Sequence, residues 1–355
     1  MALTGAMSAG ISGLKAHMDA LNVVGNNVAN VNTQGYKPGR VTFMESIYST
    51  QSAGSAGTAT VGGTNPRQTG YGVGIGTIDL DMSSRSLDST GRGMDCAIQG
   101  DGFFLVGDKT HDIDSMDALK GLTLTRVGNF EFRDGYLTDG QGNVVYGFIT
   151  RSNGDAPGTT PGDKPSTDLV PIRLPMKSTD PNSKGDAVYV GVDNQTGANV
   201  YPDNDPAATV DGFVDLENIS IDKNGKITGT NKDTGDPVVV GYIALGSVEN
   251  LNGVLHTEGP YYTAGDAAGD IRVGTPGNSV TGNLRNDKIT DGNNVVDPDS
   301  ALAEGSGATL MTGFLEASGT DLATEFANMI IYQRGYQANT RIVTVTDTML
   351  EELVN

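Results

Sequence analysis

The sequence predicts a multidomain α+β protein in which N- and C-terminal helices pair as an α-helical coiled coil, with mainly antiparallel β domains between them. Three observations predict it. Apolar residues recur at helical spacing near the N-terminus, a second long helical pattern closes the chain, and the glycine-rich sequence between them is cut into short apolar runs by Asp-Gly turns.

In the first of these elements Met7, Ile11, Leu14, Met18, Leu21, Gly25 and Val28 alternate spacings of four and three, the pattern of a coiled-coil seam. Gly5, Gly10, Gly13 and Gly25 lie within it, and each interior glycine costs a helix about 1 kcal/mol relative to alanine. Such a helix is expected to be marginal alone. It exits through Asn26-Asn27-Val28-Ala29-Asn30-Val31-Asn32-Thr33-Gln34-Gly35-Tyr36-Lys37-Pro38, where Gly35 offers a left-handed stop and Pro38 forbids continuation. Residues 1–34, with 321–355 from the other end, make the terminal helical domain.

Residues 35–72 follow as an extended linker, because from residue 50 onward glycine, serine and threonine dominate and charge is scarce. Strands begin near Val73 and continue through Ala97–Val106 and Thr123–Phe132. Asp134-Gly135 and Asp139-Gly140 then separate short apolar runs, which is the mark of antiparallel hairpins. Residues 73–148 with about 236–320 form the expected β-rich domain. Between them, from about 149 to 235, Pro, Asp, Asn and Thr crowd in and strands are brief, so this stretch reads as an inserted outer β domain.

The closing pattern runs through Leu322, Phe326, Met329, Gln333, Tyr336, Thr340, Val343, Asp347, Leu350 and Val354. A helix of about thirty residues spans roughly 45 Å. Ser318-Gly319-Thr320-Asp321, with Glu325 just beyond, supplies the capping residues, though the spacing leaves open which one is the cap.

Composition narrows the function classes. The chain has 355 residues, 37% of them hydrophobic, which is enough for a real core, and its 50 glycines imply many turns and thin layers. With 43 acidic against 23 basic residues the net charge is −20, which argues against wrapping nucleic acid or lying on an anionic membrane. One cysteine, Cys96, excludes an internal disulfide. The N-terminus has neither the basic segment nor the continuous apolar segment of a secretory signal, and no run is long enough to span a membrane.

Catalytic and ligand-binding motifs are weak. Ser12-Gly13-Leu14-Lys15 fits S-x-x-K without the supporting S-D-N and K-T-G elements. Gly70-Tyr71-Gly72-Val73-Gly74-Ile75-Gly76 lacks the G-x-G-x-x-G spacing and the P-loop lysine, and reads as a strand edge or linker. His17, His111 and His256 are scattered, and Asp222-Lys223-Asn224-Gly225 and Asp139-Gly140-Gln141-Gly142-Asn143 lack calcium-loop spacing, so both read as turns. Cys96, ahead of a strand, reads as a small buried hydrophobe more readily than as a covalent centre. Neither a cofactor nor a metal is expected, and an enzyme is the least supported class.

The run from Asn26 to Lys37 resembles the N-terminal signature of the axial proteins of the bacterial flagellum, the rod, hook and hook-associated subunits; Asn26, Asn27, Asn30, Asn32, Thr33, Gly35 and Tyr36 carry it. At the other end, Leu315 to Leu322 leading into Glu325-Phe326-Ala327-Asn328-Met329-Ile330-Ile331-Tyr332-Gln333-Arg334-Gly335-Tyr336-Gln337-Ala338-Asn339 is similar to the C-terminal helix of hook proteins in particular, with Gln333, Arg334 and Tyr336 prominent. Ala97 to Val106 and Val127 to Phe132 resemble the family's first β domain. The resemblance implies a subunit whose terminal helices form a coiled coil lining a tube, with Met7, Ile11, Leu14, Met18, Leu21, Val28, Leu322, Phe326, Met329, Tyr336, Val343 and Leu350 as assembly residues. It further implies a helical homopolymer, partners in the rod, the hook–filament junction proteins, the hook cap and the export apparatus with its chaperones, and extracellular placement by signal-independent flagellar type III export. Within the family the rival is a distal rod protein, which generally lacks the inserted module; from another class, a secreted β-rich adhesin would need a signal or anchor that is not visible.

Overall fold

The two ends of the chain fold together: one unit comprises Met1–Met82 with Ser318–Asn355, the other Ser83–Ala317. The structure, a computed structural model, describes residues 2–57, 60, 62–109, 119–150, 165–179, 181, 184–188, 191–192, 199–200, 210–276, 290–291, 294–295 and 308–354.

The first unit holds two long helices, α1 (Ala2–Ala29) and α2 (Leu322–Val354). Their neighbours run in opposite senses, Gly10 against Val343, Gly13 against Asn339 and Asn27 against Glu325, so the helices are antiparallel. The rest of the unit departs from the expected linker over 35–72. Strand β1 (Gly39–Glu45) pairs antiparallel with β4 (Val73–Leu80), and β2 (Tyr48–Ser52) pairs with β3 (Arg67–Gly70), with a further bridge between Ser55 and Thr64. The described residues between Gly39 and Leu80 thus pair as successive antiparallel ladders of one hairpin arrangement.

Cross-strand hydroxyl and amide contacts hold it: Thr42 to Thr77 at 2.7 Å, Ser55 to Thr64 at 2.8 Å and Gln68 Nε2 to Thr50 Oγ1 at 3.1 Å. Polar pairs across an antiparallel ladder stabilise it by a few tenths to about 1 kcal/mol each. A ladder of this kind has linker composition and strand geometry at once. The hairpin lies on α1, where Ser12 Oγ donates to the Ala9 carbonyl at 2.9 Å and accepts the Val73 N–H at 3.3 Å. A Cβ at Gly72 would overlap Ser12 Oγ, so this close approach requires glycine there.

The second unit is built on a 13-stranded, antiparallel sheet. Its spine runs through the strands Leu216–Ile221, Lys226–Asn231, Pro237–Ile243, Val144–Thr150, Phe103–Gly107, Thr123–Thr125, Tyr261–Ala264 and Val254–His256, each bonded to the next. Asp134 and Gly135, both at positive φ, close a two-residue hairpin between Glu131–Arg133 and Tyr136–Thr138.

The sheet takes in strands from the stretch over about 149–235 that the sequence reads as an inserted outer domain. Pro165–Pro171 pairs directly with Val144–Thr150, and Lys226–Asn231 pairs with Pro237–Ile243, so these strands belong to the same sheet. Ile172, Leu174, Ile221 and Ile227 share one core with Phe104, Val106, Phe130, Val145, Val240 and Ile243. Burying such side chains contributes roughly 1.5–3 kcal/mol each, which ties the stretch to its neighbours. Outside that sheet, Met176–Ser178 joins Ala187–Val188 and Val210–Phe213 in a small three-stranded sheet. Tyr189 and Val190 lie outside the described residues, as does His111.

Cys96 opens the strand Cys96–Gln99, fully buried, its N–H bonded to the Gly128 carbonyl at 2.9 Å. Burial, and secondarily the charge of Asp95, pushes its thiol well up from the ordinary value. Arg126 and Glu316 form a fully buried pair at 3.9 Å, with Arg126 Nη1 donating to the Gly100 carbonyl at 2.9 Å.

Candidate functional site

The asparagine-rich exit of α1 folds into a bonded knot. The helix unwinds through Asn30 N–H to Asn26 O at 3.2 Å and Thr33 N–H to Asn30 O at 3.1 Å, and Gly35 at φ 68 turns the chain back. Asn27, 1% exposed, sits at the centre. Its Nδ2 donates to Gly39 O at 2.8 Å and to Glu325 Oε1 at 3.1 Å; its Oδ1 accepts from Gly39 N–H at 3.0 Å and from the Tyr36 hydroxyl at 3.0 Å. Both donors and both lone pairs are used, which is what burial of an amide requires.

Around it Asn26 Nδ2 donates to the Tyr36 hydroxyl at 3.1 Å, and Asn30 Nδ2 to the Asn26 carbonyl at 3.0 Å. Thr33 Oγ1 donates to Asn30 Oδ1 at 3.0 Å. The chain entering α2 joins the knot: Ser318 Oγ donates to Asn30 O at 2.9 Å and Gly319 N–H to Tyr36 O at 2.9 Å. Asp321 then accepts from Ala323 N–H at 3.1 Å and Thr324 Oγ1 at 2.7 Å, which identifies the capping residue the sequence left open. Asn32, Gln333 and Arg334 are exposed.

Along the helices, small residues make the contact. α1 buries Gly10, Gly13, Ala16, Ala20, Val24 and Asn27. A Cβ at Gly10 would lie 3.3 Å from Val343 Cγ2, and one at Gly13 would lie 2.8 Å from Asn339 Nδ2. From α2, Gly335 makes room for His17: a Cβ there would stand 2.6 Å from Nε2. The His17 ring lies 5.5 Å from Phe43 and 6.2 Å from Tyr332, with those two rings 5.8 Å apart, so one aromatic cluster joins α1, β1 and α2. Gly10 and Gly13 thus serve close packing; Gly5 and Gly25 face open space.

At 3.6 residues per turn, the stripe of Met7, Ile11, Leu14, Met18, Leu21 and Val28 lies about a third of a turn from that buried face. Ile11 and Met18 are 39% and 45% exposed, and Met7, Leu14, Leu21 and Val28 are half-buried. On α2, Met329, Tyr336, Val343 and Leu350 are half-buried, on the α1 side, while Leu322 and Phe326 (50%) are exposed. Leu322, Phe326 and Ile330 form one open stripe; Ile331, Ile342, Val345 and Met349 form another. Nothing in the apolar periodicity foretold Ser12, His17 or Gly335; the i, i+3 run of Gly10, Gly13 and Ala16 was the available signal for close helix packing.

Charge gathers at one point in this unit. Burial raises the carboxyl of Glu325 above the ordinary range, with Asp321 adding to the effect and the bond from Asn27 opposing it. Among the described residues Glu325 Oε2 has no hydrogen-bond partner. Burial, then the charge of Glu325, raises the hydroxyls of Tyr36 and Tyr332. Among the described residues there is no group of three or more His, Cys, Asp or Glu able to hold a metal ion, and no helix long and apolar enough to cross a membrane.

Both ends of this unit match known families. Residues 7–37 match "Flagella basal body rod protein", and residues 311–355 match "Flagellar basal body rod FlgEFG protein C-terminal". The chain is 31% identical over 354 residues to the "Flagellar basal-body rod protein FlgG" of Bacillus subtilis (strain 168), covering 98% of this chain and 96% of that one. It is 27% identical over 426 residues to the "Flagellar hook protein FlgE" of Salmonella typhimurium, covering 98% and 99%. Over 103 residues it is 46% identical to the "Flagellar hook protein FlgE" of Treponema pallidum, covering 28% of this chain and 22% of that one.

Proposed function

The chain belongs to the family of flagellar rod and hook proteins, structural components of the bacterial flagellum, and from that premise we propose that it is a hook subunit. It polymerises into a curved helical tube that couples the rod to the filament and transmits torque. α1 and α2 act as its coiled-coil assembly element, exported without a cleaved signal and meeting rod, junction and cap proteins at the ends of the tube.

What carries this reading is the apolar surface the helix pair leaves open: Ile11 and Met18 on α1, and Leu322, Phe326, Ile330, Ile331, Ile342, Val345 and Met349 on α2. So much exposed apolar side chain on two helices calls for neighbours. The stripes lie outside the face that α1 and α2 share and are distinct from one another, so a stripe of one copy can meet an unlike stripe of the next, and such contacts extend into helical tubes when rotation does not close a ring.

A distal rod subunit is the second reading, favoured by the 31% identity with the Bacillus subtilis rod protein across nearly all of both chains. Electron microscopy of the purified polymer separates the two. A short curved tube is the expected result; a straight rod would favour the second reading, and persistent monomer under all conditions would overturn both.

A further inference from the structure

We propose that Glu325 is a proton-operated latch between the exit of α1 and the start of α2, tight when its carboxyl is protonated and loosened when it is charged. The proposal rests on the reading of these helices as the assembly element and adds a control to it. Glu325 touches the centre of the knot through one oxygen, which accepts from Asn27 Nδ2 at 3.1 Å, while Oε2 is buried among the described residues without a partner. A charged carboxylate in that setting leaves a desolvated oxygen uncompensated, whereas a neutral one keeps the bond from Asn27 and loses the charge.

The groups facing Glu325 sharpen the effect. From its own element come Asp321, a second carboxylate less than two turns away, and Tyr332. From the α1 exit come Asn27 and the Tyr36 hydroxyl. β1 meets the cluster through the Gly39 backbone that Asn27 holds.

The sign follows from the direction of the shift. Because the folded carboxyl lies above the ordinary value of 4.5, its contribution to the junction is fully present below that value and is lost as pH rises through the raised one. Acid therefore orders the start of α2 and favours assembly, and a rise in pH through the raised carboxyl value releases it.

Carboxyl-carbon NMR of the full-length free subunit, with labelled glutamate, tests the latch directly. One glutamate should titrate above the others and vanish in Glu325→Gln. Hydrogen exchange of the first turns of α2, corrected for intrinsic rates, should show protection falling with pH in the wild type and staying level in Glu325→Gln. The concentration needed for polymerisation at pH 8 should be lower for that variant than for the wild type, and the two should converge as pH falls. An ordinary titration for this carboxyl, or a wild-type pH slope retained in Glu325→Gln, would overturn the latch. Failure of both proteins to polymerise at any pH would count against the assembly reading, while the titration would still decide the latch; it needs only the wild type if the variant does not fold.

Discussion

The side-chain amide of Asn27 holds both backbone groups of Gly39, donating to its carbonyl at 2.8 Å and accepting its N–H at 3.0 Å. It stands in for a neighbouring strand on the edge of β1 away from β4, whose own first pair is Gly39 with Leu80. Replacing Asn27 with leucine leaves two part-buried backbone groups of Gly39 without the amide, at a cost of up to about 1–3 kcal/mol each. The expected outcome is loss of hydrogen-exchange protection through α1 and β1 with unchanged melting of the Ser83–Ala317 unit. Retained protection at Gly39 would show that water replaces the amide without penalty.

Glycines in the two helices should respond to alanine with opposite signs. Gly335→Ala drives a methyl group into the His17 ring, which Phe43 and Tyr332 confine, and should destabilise the helix pair by about 1–3 kcal/mol. Gly5→Ala and Gly25→Ala meet nothing within 4 Å and should stabilise α1 by up to about 1 kcal/mol each. Thermal unfolding of dilute monomer, followed by helical circular dichroism, distinguishes the three; equal shifts would mean that the packing at Gly335 is loose.

Breaking the Arg126–Glu316 pair should damage the β unit severely. Glu316→Leu removes the carboxylate paired with a buried guanidinium and leaves it Asp101 as a charge partner, a change that costs up to about 3–5 kcal/mol. A marked drop in the melting temperature of the β unit is expected. A shift of only a degree or two would mean that solvent reaches Arg126.

Cys96 should be inert in the native protein, because its thiolate is disfavoured by burial and by Asp95. A chromogenic disulfide reagent at pH 8 is expected to react only after denaturant is added. Rapid stoichiometric labelling of the folded chain would reopen a covalent role.

Phe326→Asp places a charge on an open apolar stripe that the subunit itself does not cover. Polymerisation should be abolished while the melting of both units changes little. Sedimentation together with calorimetry reads both quantities, and normal tubes from this variant would remove Phe326 from the assembly surface.

Much of this architecture was legible in the sequence, for definable reasons. Long periodic segments such as Met7–Val28 and Leu322–Val354 announce helices because many residues repeat one spacing, and Asp134-Gly135 announces its turn because few residues adopt positive φ. The hairpin over 39–80 was hidden because its ladder pairs threonine, serine and glutamine instead of alternating apolar residues. Within the stretch expected as an insert the polar composition gave no sign that Ile172, Ile221 and Ile227 share the common core. Periodicity also identifies which residues share a helix face without saying which face turns inward. Here Gly10, Gly13 and Ala16 do so, and shape complementarity to Asn339, Val343 and His17 decides it.

The bond between Asn27 and Glu325 joins positions 298 residues apart. During synthesis α1 therefore waits for those intervening residues before it meets α2. A polypeptide broken off anywhere before Asp321 leaves α1 with a bare glycine and alanine face and its knot unfinished. The packing of α1 thus depends on residues that follow it only after some three hundred positions.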